Sequence, residues 1–179
     1  MALTTDLDQD AITTAVRAFI LSVAPTGTPV VLGQSNRVPP PKAPLYVILT
    51  PTTRPRLSTV ISTWDTDNPD PTAVAMLAPA QMMIQCDVFG ANAFDLASII
   101  EVAWRSPYGC AALTELNPLI QPLYADEPRQ LAFIDGNQQY EDRWSVDLNL
   151  QINQTISIPQ DFADTLVTGL IEVDSTYPP

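Results

Sequence analysis

Three aspartates, Asp65, Asp67 and Asp70, have a spacing that could place carboxylates around a metal ion. Calcium loops supply carboxylates at such intervals. Here Pro69 and Pro71 interrupt the segment, and the glutamate that completes an EF-hand loop is missing. The composition of the whole segment is typical of turns, so a structural turn is a better interpretation than a metal site.

The sequence contains no histidine, which removes the commonest general base and metal ligand. Glycine-rich phosphate loops and the nucleophile elbow of hydrolases are also missing from it. Glu141 and Asp142 are adjacent, and adjacent residues on a strand point to opposite faces, so their carboxylates would not act at one centre. We therefore expect no enzyme activity, no cofactor and no metal.

Ion pairing explains the charged residues of this region better than catalysis does. Arg143 follows the two acids directly, and Arg129 follows Asp126 and Glu127 closely. We expect both arginines to form ion pairs at an interface between subunits.

The element that must position these residues is a strand predicted at 140–158. Apolar residues recur at every second position, with Gln154 as the one break: Trp144, Val146, Leu148, Leu150, Ile152, Ile156 and Ile158. A period of two predicts a strand with one buried face. At about 3.3 Å per residue the strand would be roughly 50 Å long, two to three times the usual length. We expect Trp144–Ile152 to lie under both main helices, and Gln138–Arg143 to reach a neighbouring subunit together with Tyr124–Arg129.

Tyr140 and Trp144 fall on one face of this strand, with Asp142 between them. They are either ordinary core aromatics or an aromatic anchor in a subunit contact. On the opposite, polar face, Asp147 should tolerate leucine if that face is solvated. Aspartate in place of Leu148 should abolish folding.

Two helices are predicted from apolar residues at helical spacing. The first is capped by Asp8 or Asp10 and runs to about Val23; the second is capped by Asn92, runs to about Arg105 and carries Phe94 on its apolar face. Further elements are expected as strands at 30–33, 45–49, 57–64, 81–89 and 131–134, a helical turn at 110–116 and a short C-terminal helix at 159–166. The order predicts one α+β domain over residues 1–179, in which a mostly antiparallel sheet with one unusually long strand carries two main helices. A proline-rich loop at 36–44 and an acidic loop at 65–71 would project from it.

The formal net charge is −12, from 20 acidic and 8 basic residues without a run of acids. This balance argues against a protein that grips DNA. It is compatible with a surface past which DNA slides, but simple solubility is the better explanation. Two cysteines make no disulfide framework, and Cys86 falls on the apolar side of a strand. With neither a signal peptide nor an apolar run of membrane-spanning length, we expect a soluble chain made in the cytosol.

Three blocks of sequence carry a resemblance: GQSNRVPPPKAPLYVILTP (33–51), IQCDVFGANAFDLASII (84–100) and YADEPRQLAFIDGNQQYEDRWSVDLNLQIN (124–153). They resemble the neck or tail-terminator proteins of contractile-tailed bacteriophages and related prophages, over about Phe19–Val173. The resemblance implies a structural virion protein with an α+β subunit that forms a ring, expected to be a hexamer. Such a ring caps the tail tube and sheath and faces the head-side connector.

A head-completion or connector ring is the alternative within the virion, and a soluble ligand-binding protein or enzyme is the alternative outside it. The expected partners are further copies of the chain, tail tube and sheath proteins, and connector or neck proteins. Genomic DNA would pass without specific binding, and no membrane is involved. The candidates for the subunit interface are Tyr124, Asp126, Arg129, Tyr140, Glu141, Asp142, Arg143 and Trp144. The candidates for charges lining the lumen are Asp126, Glu127, Glu141 and Asp142.

Overall fold

The computed structural model describes residues 3–34, 39, 41–64, 73–134 and 139–159. In chain order its elements are β1 (Thr4–Thr5), α1 (Gln9–Val23), β2 (Val30–Leu32), β3 (Leu45–Thr53), β4 (Ile61–Thr63), β5 (Ala73–Gly90), α2 (Ala93–Trp104), α3 (Pro107–Leu116), β6 (Ile120–Ala125), β7 (Arg129–Gln130), β8 (Phe133–Ile134), β9 (Tyr140–Glu141) and β10 (Arg143–Pro159). The predicted loop at 65–71 and residues 160–166 of the predicted terminal helix lie outside the described residues. Of the proline-rich loop, only 39 and 41–44 are described.

Two long antiparallel strands, rather than one, form the centre of the sheet. β10 has 17 residues and β5 has 18, and they pair along their whole length, from Arg143 opposite Phe89 to Pro159 opposite Ala73. The predicted long strand is therefore present, but it begins at Arg143, because Tyr140 and Glu141 pair with β8 in a separate small sheet.

The strand predicted at 81–89 begins eight residues earlier, although Pro79 lies within it. The Pro79 carbonyl accepts a hydrogen bond of 3.1 Å from the Leu57 amide, so this side of Pro79 faces the segment before β4. In a strand the nitrogen and carbonyl of one residue point the same way. The missing N–H therefore leaves the pairing with β10 intact.

The described part of the main sheet has the order β1-β10-β5-β3-β2, with β4 beside β5 and with β6 and β7 beside β10. Only β2 and β3 pair in parallel there; the other pairings are antiparallel. This confirms an α+β fold with a mostly antiparallel sheet. The sequence pattern did not predict β1 or β6.

Three helices cover one face of the sheet. Asp8 caps α1 by accepting a 2.7 Å hydrogen bond from the Ala11 amide, as predicted. Asn92 precedes α2 in a left-handed conformation (φ 64°), and its side chain makes no capping hydrogen bond, contrary to the prediction. The predicted turn at 110–116 is part of α3, which Ser106 caps and in which Pro107 occupies the first turn, where a missing N–H costs nothing.

The hydrophobic core lies between the helices and the even-numbered residues of β10. Val146, Leu148, Leu150 and Ile152 are buried there. Of the two predicted helices, α2 packs directly on β10, as expected, and α1 packs on β2, β3 and the other two helices. Residues of α1 and β10 belong to the same hydrophobic core. On α2, Phe94 is half exposed and contacts the Trp144 ring, because Leu96, Ala97 and Ile100 form the buried stripe.

The sheet continues beyond this core. Along the two long strands, the core cluster reaches Ile152 and Ala80, and the remaining seven residues of β10 extend roughly 23 Å further. β4 flanks β5 here, and β1 flanks β10. We call this part the arm: β1, β4, Ala73–Pro79 and Asn153–Pro159.

Candidate subunit interface

The polar face of β10 is buried, although the helices lie on the other side of the sheet. Ser145, Asp147 and Asn149 are exposed by 0%, 7% and 2% respectively. Long side chains from the neighbouring strands lie across them. The condition that this face is solvated is therefore not met at these positions, because side chains of the flanking strands cover it.

Each buried carboxylate on this face has an arginine partner within the chain. The Arg129 guanidinium donates to the Asp147 carboxylate. Arg143 donates to Asp87 through Nη2 and Nε, at 2.9 Å and 3.3 Å. Gln85 Nε2 adds contacts of 3.1 Å to both Asp87 oxygens. A buried carboxylate without a partner would be strongly destabilising, so these pairs hold the face together.

Both arginines predicted for intersubunit ion pairs are thus occupied inside the subunit. Their acidic partners, Asp87 and Asp147, were missed as site residues. A signal existed, because each is a lone charged residue on the polar phase of an alternating strand. What the sequence could not supply was the register that places Asp87 near Arg143.

A chain of uncharged groups continues this face toward the arm. Gln81 Nε2 donates to Asn149 Oδ1 at 2.8 Å and to the Tyr124 hydroxyl at 3.0 Å. The Asn149 carbonyl accepts from Trp104 Nε1 at 3.1 Å, which links this strand to α2. Ser145 Oγ is the one buried side-chain polar atom in the described part of the chain that has no hydrogen-bond partner.

Aromatic residues cover the end of the sheet where β10 begins. The Tyr46 and Phe89 rings stack with centroids 4.9 Å apart, and the Arg143 guanidinium carbon lies 5.4 Å from the Phe89 centroid. The Tyr46 hydroxyl donates to Glu141 Oε2 at 3.3 Å. Burial, reinforced by the Glu141 charge, raises the pKa of Tyr46 to about 12. The hydroxyl therefore remains a donor at neutral pH.

The candidate lumen acids lie beside the first part of β10. Asp126, Glu127 and Asp142 are exposed, while Glu141 is half-buried. The Asp126 amide donates to the Asp147 carbonyl at 3.0 Å, which fixes the connection between β6 and β7. Asp142 accepts a 2.9 Å hydrogen bond from Gln130.

The two aromatic candidates lie in different strands and in different surroundings. Tyr140 belongs to β9 and is 82% exposed, whereas Trp144 is half-buried on the helix side against Phe94. The expectation that they share a face fails because the strand is interrupted at Asp142. The surroundings of Trp144 match the interpretation as a core aromatic. Tyr140 is exposed, as an aromatic anchor in a subunit contact must be.

Nothing in the described part of the chain groups three or more metal-ligating side chains. Cys86 is fully buried, as predicted, and burial raises the pKa of its thiol, with the Asp87 charge adding to the shift. A depression of about 510 Å³ between α2 and α3 is lined by Ile99, Val102 and Tyr108 with small residues, without a charged side chain. Among the described helices, none has the length and apolar character to cross a membrane.

A small α+β subunit with its buried charges paired internally and an arm of strands beyond its core has the features of an assembly component. The family model for the phage neck terminator protein matches residues 10–175. The chain therefore belongs to the phage neck terminator family. A search of curated proteins gives no match. Membership supports a structural role in the phage neck, in association with other neck and tail proteins, and points away from an enzyme.

Proposed function

We propose that this chain is a tail terminator that assembles as a ring, with six copies, on the end of a finished tail. The ring caps the tail tube and sheath and presents its other side to the head-side connector. We further propose that residues 1–179 form one subunit domain. The match to the phage neck terminator family over residues 10–175 is the observation that carries this proposal.

The shape of the sheet supports ring assembly. A strand pair that continues roughly 23 Å beyond the core offers edges outside the subunit's own packing. In a ring each copy contacts the next through two different surfaces, and closure covers these edges. Tyr140 and Tyr124, exposed by 82% and 46%, suit aromatic anchors of such a contact.

We place the remaining candidates in two roles. Arg129, Arg143 and Trp144 hold the subunit side of the interface in shape, because each is engaged within the chain. Asp126, Glu127, Glu141 and Asp142 supply negative charge toward the lumen. Six copies with a net charge of −12 each carry about −72, which would keep DNA from adhering as it passes.

Imaging of intact particles by cryo-electron microscopy tests this proposal. We expect six copies of the chain between the last tube ring and the connector. Twelve copies would support a connector ring instead, and a chain missing from the neck would refute both. Tails made without the chain should fail to join heads, and supplying the wild-type chain should restore joining.

A further inference from the structure

The arm carries apolar side chains on the same face of the sheet as the helices. Residues directly opposite each other on paired strands point to one face, and Met76 lies opposite Ile156 as Val74 lies opposite Ile158. These four residues have the even numbers that mark the helix side of β5 and β10. Met76, Ile156 and Ile158 are half-buried. The helix side of the arm is therefore an apolar surface.

Val74 is buried although it lies beyond the hydrophobic core. It is exposed by only 1%, but the core that the helices share with the sheet ends at Ala80 and Ile152, and Val74 is not part of it. β1 and β4 flank the long strands within the sheet, so they border this face without covering it. A side chain on an open sheet face stays accessible to water, so the burial of Val74 indicates that a further segment covers the arm.

The sequence that follows β10 has the pattern of such a cover. Residues 161–172, which lie outside the described residues, read DFADTLVTGLIE. At about 3.6 residues per turn, apolar residues occupy one half of a helix built from this sequence and the other residues occupy the opposite half. The apolar half consists of Phe162, Ala163, Leu166, Val167, Leu170 and Ile171. Asp161 suits the N-cap position, and because Gly169 lowers the intrinsic stability of such a helix, it forms only when its apolar half is buried.

The length of this segment and the place where it starts fit the arm. Pro159, the last residue of β10, lies opposite Ala73 at the end of the arm, and Phe162 follows soon after it. Twelve helical residues extend about 18 Å, the length of about five or six strand residues. A helix that turns back after Pro159 would thus end near Gln154. There the Arg54 guanidinium donates to the Gln154 side chain at 2.7 Å and forms no salt bridge with a described carboxylate, and a cation stabilises the C-terminal end of a helix.

We propose that residues 161–172 form an amphipathic helix that packs on the helix side of the arm of the same copy, over Val74, Met76, Ile156 and Ile158. The cover comes from the same chain because β10 ends at the border of this face, so a short turn brings Phe162 onto it. The helix would extend the layer of α1, α2 and α3 along the arm. It forms within one copy and so does not depend on the ring proposed above. The edges of the arm and its other face stay available to neighbouring copies.

Thiol labelling at position 74 tests this cover in the full-length chain. The reporter protein carries Val74→Cys with Cys110→Ser, so that its only thiols are at position 74 and at Cys86, which is fully buried in the core. Labelling with a thiol reagent, followed by peptide mass spectrometry, gives the rate at each position. Because a buried thiol reacts only when local opening exposes it, position 74 should label slowly in the reporter.

Two matched pairs of substitutions in the reporter separate the two halves of the segment. Leu166→Asp with Leu170→Asp changes the apolar half, and Thr165→Asp with Thr168→Asp places the same charge on the polar half. The first pair should speed labelling at position 74 at least about tenfold, because it releases the cover. The second pair should leave the rate within about twofold of the reporter.

Cys86 reports whether the core stays folded, and it should remain unlabelled in every variant. If the leucine-to-aspartate pair unfolds the chain, Leu166→Ala with Leu170→Ala replaces it and should still speed labelling at position 74 several-fold; an unchanged rate would overturn the proposal. Rapid labelling of the reporter itself, or equal acceleration by both aspartate pairs, would also overturn it. So would protection that disappears on dilution from about 100 μM to about 1 μM, because a second copy would then supply the cover.

Discussion

The Arg129–Asp147 pair should respond asymmetrically when its members are replaced one at a time. Asp147 is almost fully buried, with a side chain exposed by 10%, whereas the Arg129 side chain is 56% exposed. Removing the carboxylate therefore leaves a cation that water can solvate. Removing the cation leaves a carboxylate with little access to water.

The geometry sets the expected magnitudes. Arg129→Met keeps a chain of similar length over Asp147 and removes only the charge, so the carboxylate stays covered and unpaired. Breaking a buried pair in this way costs about 3–5 kcal/mol, and the exposure of Arg129 places this site at the lower end, about 3 kcal/mol. Arg129→Ala uncovers Asp147 to water and should cost about 1 kcal/mol. Asp147→Leu should cost less than about 1 kcal/mol, because an apolar group replaces a buried charge.

Urea unfolding of the four proteins, followed by far-UV circular dichroism, gives the free energies directly. Thermal melts should order them in the same way, with Arg129→Met lowering Tm by roughly 6–12 °C for a chain of this length. The double variant Arg129→Met with Asp147→Leu should recover most of the loss. If Asp147→Leu is more destabilising than Arg129→Met, the assignment of the buried and exposed partners is wrong.

Three further predictions concern the core, the aromatic end of the sheet and the unpartnered hydroxyl. Leu148→Ala should lower the free energy of unfolding by about 2–5 kcal/mol, because it leaves a cavity in the core. Leu148→Asp should prevent folding. If the thermal melt of Leu148→Asp equals that of the wild type, the buried face of β10 is misassigned. The pKa of Tyr46 rises from 10.0 to about 12 on folding. The folded state therefore holds this proton more tightly. The resulting contribution to the free energy of unfolding is complete below pH 10 and is lost as the pH rises toward 12. Tyr46→Phe should flatten the dependence of stability on pH in this range, and an unchanged slope would contradict the raised pKa of Tyr46. Ser145→Ala should raise stability by up to about 1 kcal/mol, because it removes a buried hydroxyl without a partner; a clear loss would show that the hydroxyl is hydrogen-bonded.

Most of what could be predicted about the centre of the fold came from the alternation of apolar and polar residues along the chain. The even positions of β10 from Val146 to Ile152 are buried and α1 begins after Asp8, because period and capping are local properties. The full length of β5 could not be predicted, since Pro79 normally ends a strand and is tolerated here only because its nitrogen faces away from β10. β6 was missed for a similar reason, because Pro122 lies within a short strand of irregular burial.

The ion pairs among the candidate interface residues could not be predicted from the sequence. Clustered charges at 124–143 indicated ion pairs, yet which arginine meets which carboxylate depends on register between strands far apart in sequence. Arg143 and Asp87 are separated by 56 residues, and no local pattern links them. The polar face looked solvated because its residues are polar, but burial there follows from long side chains on the flanking strands, which a single strand's sequence does not reveal.

Internal pairing of the buried charges bears on how the proposed ring would close. With Asp87 and Asp147 neutralised by arginines of the same chain, the polar face needs no ion from a neighbour. A row of copies docked head to tail would leave one docking surface of each kind uncovered at its ends. Closing the row adds a contact without recruiting another copy, so it gains binding free energy while losing little further translational entropy. A closed ring should therefore be favoured over open rows at low concentration, and a mass distribution with a single dominant closed species would be the sign of it.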